Sequence, residues 1–289
     1  MSATNLSANQ IDFFNKNGYL VVANAIDSAL LVRLQQQFCA WVAESRDYRA
    51  PWGQTVNGKP RFDLDDKHSA ARPGLRRVNA PIEISQDYYA AVKDSRVADF
   101  VAALIGPDIK LHHSKINSKL PGSGTEVKWH QDFSFTPHTN DDLVTALVMI
   151  DEVTESNGPL RVVPGSHRRQ IHSLWQNGVF TGAVDTAIGN QCEQSAVDCT
   201  GSAGSVCLMH TRLLHGSRAN VTRDPRTLFI VVYAADDAYP CSPNPMPHQY
   251  EGEMIRGKHG GNVRCMDYSM TLPELPGHAS FFDQQAGIG

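Results

Sequence analysis

The chain has 289 residues, enough for one large β domain or two smaller ones. Its formal net charge of −4 and ordinary globular composition give no reason to expect nucleic acid or an anionic membrane as a partner. Residues 1–9 lack a signal-peptide pattern, no apolar run approaches the ~20 residues that span a bilayer, and the six cysteines form no CxxC pair. These features predict reduced thiols and a cytoplasmic enzyme or binding protein. Nothing in them sets an oligomeric state.

Ser7 and Gln10 have capping-box form, and Ile11 and Phe14 follow at helical spacing before Gly18. Tyr19–Val22 reads as a short strand. Asp27 suits the cap of a second helix, with Leu30, Leu31, Leu34, Phe38 and Val42 on its period. Over 46–81 the periodicity is lost, which predicts a long loop: a lid, a binding loop or a disordered segment. Arg76 and Arg77 within it are expected at the surface, with an anionic ligand as the alternative. Residues 85–105 predict helix, broken near Asp94 and Ser95 and ended by Gly106 and Pro107.

Short β-like runs follow over 109–118, 127–135, 144–150, 160–163, 205–209 and 227–233. Turn residues at 121–124, Asn157-Gly158-Pro159 and Pro164-Gly165 separate several of them. Residues 168–204 read as an irregular excursion carrying Trp175 and Phe180, and the tail from Pro240 reads as irregular. Helices first, then seven or so strands with no βαβ alternation, predict a mainly β, sheet-on-sheet fold with flanking helices. No composition shift marks a boundary. Residues 1–289 are therefore read as one domain, with helices over 7–105 buttressing a core over about 109–235.

The chemistry gathers around Lys128-Trp-His-Gln-Asp-Phe-Ser-Phe135. In an extended strand, residues i and i+2 share a face, so His130 and Asp132 project an imidazole and a carboxylate into one space. A second histidine would complete a 2-His-1-carboxylate set, which holds ferrous iron and leaves open coordination positions. Alone, His-x-Asp is more often a polar pair on a solvated face. His215, where the run 205–209 has given way to a turn, is the best second histidine. Arg226 lies eleven residues further on, and a turn at 222–225 is expected to bring it beside the strand of His215. There a guanidinium fork can hold a carboxylate with two hydrogen bonds.

Trp129-His-Gln-Asp132, the segment from Asn157 to His167, His215-Gly-Ser217 and Arg226 together resemble the phytanoyl-CoA dioxygenase family of iron(II)- and 2-oxoglutarate-dependent oxygenases. The resemblance is densest over 119–233, and Asn17 to Val22 also suits it. It implies a double-stranded β-helix, a cupin-like jelly roll with iron at its open mouth. It implies His130, Asp132 and His215 as catalytic metal ligands, and Arg226 with Ser217 on the far carboxylate of 2-oxoglutarate. It further implies O₂ as oxidant, ascorbate as a stimulant, and succinate and CO₂ as products. The segment 157–167 is read as structural support. Related halogenases replace the carboxylate ligand by a small residue; the retained Asp132 argues for hydroxylation, desaturation or ring closure instead.

His113, Lys115 and Asn117 alternate onto one face of 109–118 and are further candidates for 2-oxoglutarate. Phe133, Phe135, His138, Arg77 and Trp175 are the candidates for the substrate, with Trp52 as another aromatic. No dense Lys/Arg run suits the phosphates of an acyl-CoA, so a smaller metabolite is favoured. Two other classes compete: a non-redox metal-dependent hydrolase or isomerase of cupin type, and a non-catalytic binder of 2-oxoglutarate or iron.

Overall fold

The computed structural model describes residues 6–275, 282 and 285. Ser7 and Gln10 cap α1 (Ala8–Asn17) reciprocally, and Gly18 ends it at φ 78°. After β1 (Tyr19–Val22), the Asp27 carboxylate accepts from the amides of Ala29 and Leu30 to start α2 (Ser28–Glu44). Residues 46–81 are not the featureless loop that their lost periodicity predicts. They contain β2 (Phe62–Leu64) and β3 (Leu75–Asn79), strands too short to show clear alternation. Arg76 and Arg77 are buried, not exposed as expected, because Arg76 pairs with Asp63 at 2.6 Å and Arg77 Nε donates to Asn117 at 3.0 Å. Ser85 and Ser95 then cap α3 (Gln86–Lys93) and α4 (Arg96–Ile105), so the break falls where the sequence placed it.

The remaining elements are β4 (Ile109–Lys119), β5 (Val127–His130), β6 (Leu143–Met149), β7 (Leu160–Val162), β8 (Trp175–Gln176), β9 (Val179–Phe180), α5 (Thr186–Ser195), β10 (Val197–Cys199), β11 (Val206–His210), β12 (His215–Ser217), β13 (Arg226–Ala235) and β14 (Met254–Arg256). Residues 168–204 are thus more regular than expected: they hold the β8–β9 hairpin, α5 and β10.

The larger sheet runs β1-β11-β6-β13-β4-β3-β2, with β14 also on β4, and the smaller runs β10-β7-β12-β5. All pairings in both are antiparallel. Strand β6 shows how the layers stack. Its Ala146 and Val148 face the cluster that holds the helices, while Leu147 and Met149 meet Leu160 and Val162 of the smaller sheet. The chain is a double-stranded β-helix, a cupin-like jelly roll buttressed on one side by α2, α3 and α4.

One expected adjacency does not occur. Strands β12 and β13 lie in different sheets, so His215 and Arg226 are not on neighbouring antiparallel strands. The link between them crosses from one sheet to the other, and the Asn220 amide braces it by donating to the carbonyls of Lys119 and Asp224 at 2.9 and 2.7 Å.

Helix and sheet meet at Phe229, fully buried and edge-on to Tyr88 with ring centroids 4.8 Å apart. Phe229→Ala should lower unfolding free energy by about 3–5 kcal/mol, the usual cost of deleting a buried ring. An unchanged midpoint in denaturant titration would contradict this account of the helix–sheet joint.

Candidate metal centre and active site

Strand β5 stops at His130, whereas the sequence led us to expect extended chain through Phe135. Its ladder partner β12 begins at His215, directly opposite His130, so no strand lies beyond to pair with. Residues Asp132–Ser134 form a 3-10 turn instead, and the Phe133 amide donates to the Thr211 carbonyl at 2.9 Å. Gln131 remains extended, at φ −120° and ψ 129°, so Asp132 still returns to the side of His130. The Gln131 side chain is buried, donates to the Arg212 carbonyl at 2.6 Å and accepts from the His172 amide at 2.7 Å.

The three side chains converge. Asp132 Oδ1 lies 3.6 Å from Nε2 of both His130 and His215, and one ligand atom from each residue falls within 4.8 Å of the others. Each imidazole is held from behind: Nδ1 of His130 lies 2.8 Å from the Lys128 carbonyl, and Nδ1 of His215 lies 2.9 Å from the Leu213 carbonyl. Donation from Nδ1 leaves the Nε2 lone pairs facing the carboxylate. The Thr145 hydroxyl donates to Asp132 Oδ2 at 2.8 Å, leaving Oδ1 for an ion. Burial, with His130 beside it, pushes His215 down to about 4, so the ring is neutral near pH 7. Burial alone would raise the Asp132 carboxyl, but His215, His130 and Lys115 outweigh it and hold it well below the usual range. Two imidazoles and one carboxylate oxygen are the donor set that suits ferrous iron.

A cavity runs from this triad to Arg226 and is lined between them by Lys119, Ser217, Leu228 and Ile230. Arg226 and Lys119 are cross-strand partners, both almost fully buried. The Arg226 Nε donates to the Gly158 carbonyl at 2.9 Å, which aims the guanidinium. Gly158 has φ 81°, and a Cβ there would meet the Arg218 carbonyl at 2.7 Å, so the Asn157-Gly-Pro turn needs its glycine. Lys119 Nζ donates to Ser217 Oγ at 2.7 Å and to the Arg218 carbonyl. Burial pushes Arg226 down to about 10, and burial with the neighbouring Arg226 charge pushes Lys119 well below its ordinary value. Two buried cations side by side make a strong claim on an anion.

In front of the triad opens a mouth lined by Phe135, His113, Lys115, Asn79 and Arg77. Phe135 stands edge-on to His130 at 5.5 Å. Lys115 lines both mouth and inner cavity; burial pushes it down to about 8, so its ammonium keeps its proton near neutrality. Asn117 faces the inner cavity.

Other expected substrate contacts lie elsewhere. Phe133 is fully buried and packs with Leu143, Val232 and Tyr268, because the 3-10 turn rotates it into the core. His138 is buried against His112, ring centroids 4.9 Å apart, and does not line the mouth. Trp175 packs on Phe180 and donates to the Leu272 carbonyl at 3.1 Å. Trp52 stacks on Phe62 and Tyr48. The sequence reading missed Lys119, having ended the strand one residue early, although 115, 117 and 119 share one parity. Thr145 carried no signal, since a threonine in an apolar strand is ordinary.

Fold and site together define an iron(II)- and 2-oxoglutarate-dependent oxygenase. Residues 14–228 match the sequence model of "Phytanoyl-CoA dioxygenase (PhyH)", and the chain belongs to that family. It is 34% identical over 218 residues, 73% of this chain and 75% of the other, to a protein of Stutzerimonas stutzeri named "Probable alpha-ketoglutarate-dependent hypophosphite dioxygenase". It is 28% identical over 251 residues to the ectoine dioxygenase of Sphingopyxis alaskensis, covering 80% of this chain and 76% of that one. The fold is that of solved EctD from S. alaskensis, with a TM-score of 0.67 at 23% identity and 88% of each chain covered.

His130→Ala and His215→Ala should each abolish stoichiometric Fe(II) binding, since two remaining ligands hold a labile ion poorly. Thr145→Val should weaken it about 10- to 100-fold, the usual effect of removing a partner that orients a ligand. Anaerobic Fe(II) titration of the three variants checks both; full iron in His215→Ala would remove the triad.

Proposed function

We propose that this chain hydroxylates a small molecule at the expense of 2-oxoglutarate and O₂, giving succinate and CO₂. His130, Asp132 and His215 are the ligands in this reading, and Arg226, Lys119 and Ser217 receive the far carboxylate of 2-oxoglutarate. The observation that carries it is the buried Arg226–Lys119 pair in the cavity that begins at the triad. A non-redox hydrolase or isomerase would have no use for two buried cations there, and a non-catalytic binder would not release succinate.

A bound ferrous ion supplies the redox chemistry that couples decarboxylation of 2-oxoglutarate to oxygen insertion. The chain orients the reactants and excludes water. Arg226 offers a fork already fixed by Gly158, so little freedom is lost on binding. Lys119 and Ser217 add donors on the same carboxylate, and Asn117 is assigned to the same cavity. Leu228 and Ile230 keep the space between clamp and triad apolar, which strengthens the charge pairing there. Phe135 screens the His130 side of the mouth.

The similarity to a protein named for hypophosphite, a very small substrate, supports a small metabolite over an acyl-CoA. The six free cysteines suit a reducing, cytoplasmic setting. The retained Asp132 supports hydroxylation over halogenation.

With 2-oxoglutarate, Fe(II) and ascorbate, the protein should release succinate in air and none under nitrogen. EDTA should stop turnover and Fe(II) restore it. Succinate without O₂, or turnover with no succinate, would overturn the reading. Chloride in the assay should yield no chlorinated product.

Arg226→Ala should weaken 2-oxoglutarate binding by ~30-fold to several thousand-fold, because truncating one partner of a buried charge pair costs about 2–5 kcal/mol. Fe(II) affinity should stay near wild type. Arg226→Lys should recover part of the loss, since a point charge cannot reproduce the two-pronged fork. Unchanged 2-oxoglutarate affinity in Arg226→Ala, measured by calorimetry, would move the carboxylate elsewhere.

A further inference from the structure

The mouth in front of the triad has a positively charged wall that the co-substrate does not account for. Strands β3 and β4 build it by their register: Arg77 sits opposite Asn117, and Asn79 sits opposite Lys115. Cross-strand partners project to the same face, so Arg77, Asn79 and Lys115 share the surface that looks onto Asp132. Among the described residues, the charged groups lining the mouth are Lys59, Arg77, Lys115, Asp132 and Glu274. Asp132 is committed to the metal by its two histidines and Thr145.

Lys115 is the informative member. It stands where mouth and inner cavity meet, and its side chain makes no hydrogen bond or ion pair to another described residue. Asp132 is the carboxylate beside it, and a divalent ion would take up that charge. The far carboxylate of 2-oxoglutarate has Arg226 and Lys119. A desolvated ammonium without a counter-charge is strongly disfavoured, so the mouth as built calls for an anion from the substrate side. Arg77 presents a second charge on that wall, and its Nε bond to Asn117 at 3.0 Å fixes the guanidinium plane.

We propose that Lys115 and Arg77 form a subsite for an oxyanionic head group, so that the substrate is a small phosphorus oxyanion, sulfonate or carboxylate. This rests on the oxygenase reading above. Lys115 thereby belongs to the substrate and not to 2-oxoglutarate.

The test is calorimetric and anaerobic, on full-length protein loaded with Fe(II) and 2-oxoglutarate. The probes are phosphite, methylphosphonate, methanesulfonate, acetate and the neutral acetamide. At least one anion should bind tenfold or more tighter than acetamide, and the order among the four identifies the head group. Lys115→Met and Arg77→Met should each lower that affinity at least tenfold, while 2-oxoglutarate affinity stays within threefold of wild type. Lys115→Arg should restore part of the anion affinity. Melting curves certify the variants, with Lys115→Gln replacing Lys115→Met if the latter melts early. Anions that bind no better than acetamide, or equally well to both variants, would overturn the subsite while leaving the oxygenase reading intact. A loss of 2-oxoglutarate binding in a folded Lys115 variant would return that lysine to the co-substrate. Failure of the wild type to bind 2-oxoglutarate at all would sink the oxygenase reading, and the subsite with it.

Discussion

The pairing of His130 with His215 across β5 and β12 is the constraint on which the site depends. It brings two imidazoles to a ring separation of 4.1 Å, where an ion between their Nε2 atoms can use both. Such closeness would be unfavourable for two imidazolium rings. The carbonyls of Lys128 and Leu213 accept from Nδ1, which orients both rings with Nε2 toward Asp132. The strand also has to end there. Continued pairing would have carried Asp132 along a ladder, whereas the 3-10 turn lets its carboxylate rest against Thr145 and face the rings.

The same economy shapes the charge inside the barrel. A jelly roll filled by Leu147, Leu160, Leu228 and Ile230 is a poor place for cations, yet Arg226 and Lys119 sit at its wall as neighbours. Their mutual repulsion is partly met by fixed dipoles: the Gly158 carbonyl on Arg226, and Ser217 with the Arg218 carbonyl on Lys119. Dipoles compensate a charge less completely than an ion does. A carboxylate entering between the two would therefore be bound by groups already ordered for it, and the ordering cost is met by folding and not by binding.

The parts legible in the sequence are those where chemistry and periodicity coincide. The capping box at Ser7, the cap at Asp27 and the break at Ser95 are local, and each forms as written. His130, Asp132 and His215 stood out because an ionisable residue beside apolar strands asks for a reason. What escaped was tertiary in origin. Strand β5 ends early because its partner begins at His215, and no local pattern reports a partner's first residue. Phe133 looked like a pocket aromatic while its strand was assumed to continue; the turn sends it into the core. Placing β12 and β13 as neighbours followed from their nearness in sequence, and the sheet-to-sheet crossing braced by Asn220 replaces that adjacency.

The largest misreading, residues 46–81, is also the most instructive. Alternation is lost there because β2 and β3 are short and because Arg61, Asp63, Arg76 and Arg77 occupy buried positions that a regular strand would fill with apolar side chains. Arg76 and Asp63 are tolerated because they pair with each other at 2.6 Å, and Arg61 because it pairs with Glu83 at 2.7 Å. By joining the free edge of β4, β3 extends the large sheet past the barrel and places Arg77 and Asn79 beside Lys115. Lys119 and Arg226 thus lie on β4 and β13, long strands paired along their whole length, where packing must hold one geometry. The mouth is built where the apolar pattern breaks down, because a polar lining and a readable apolar period cannot occupy the same few residues.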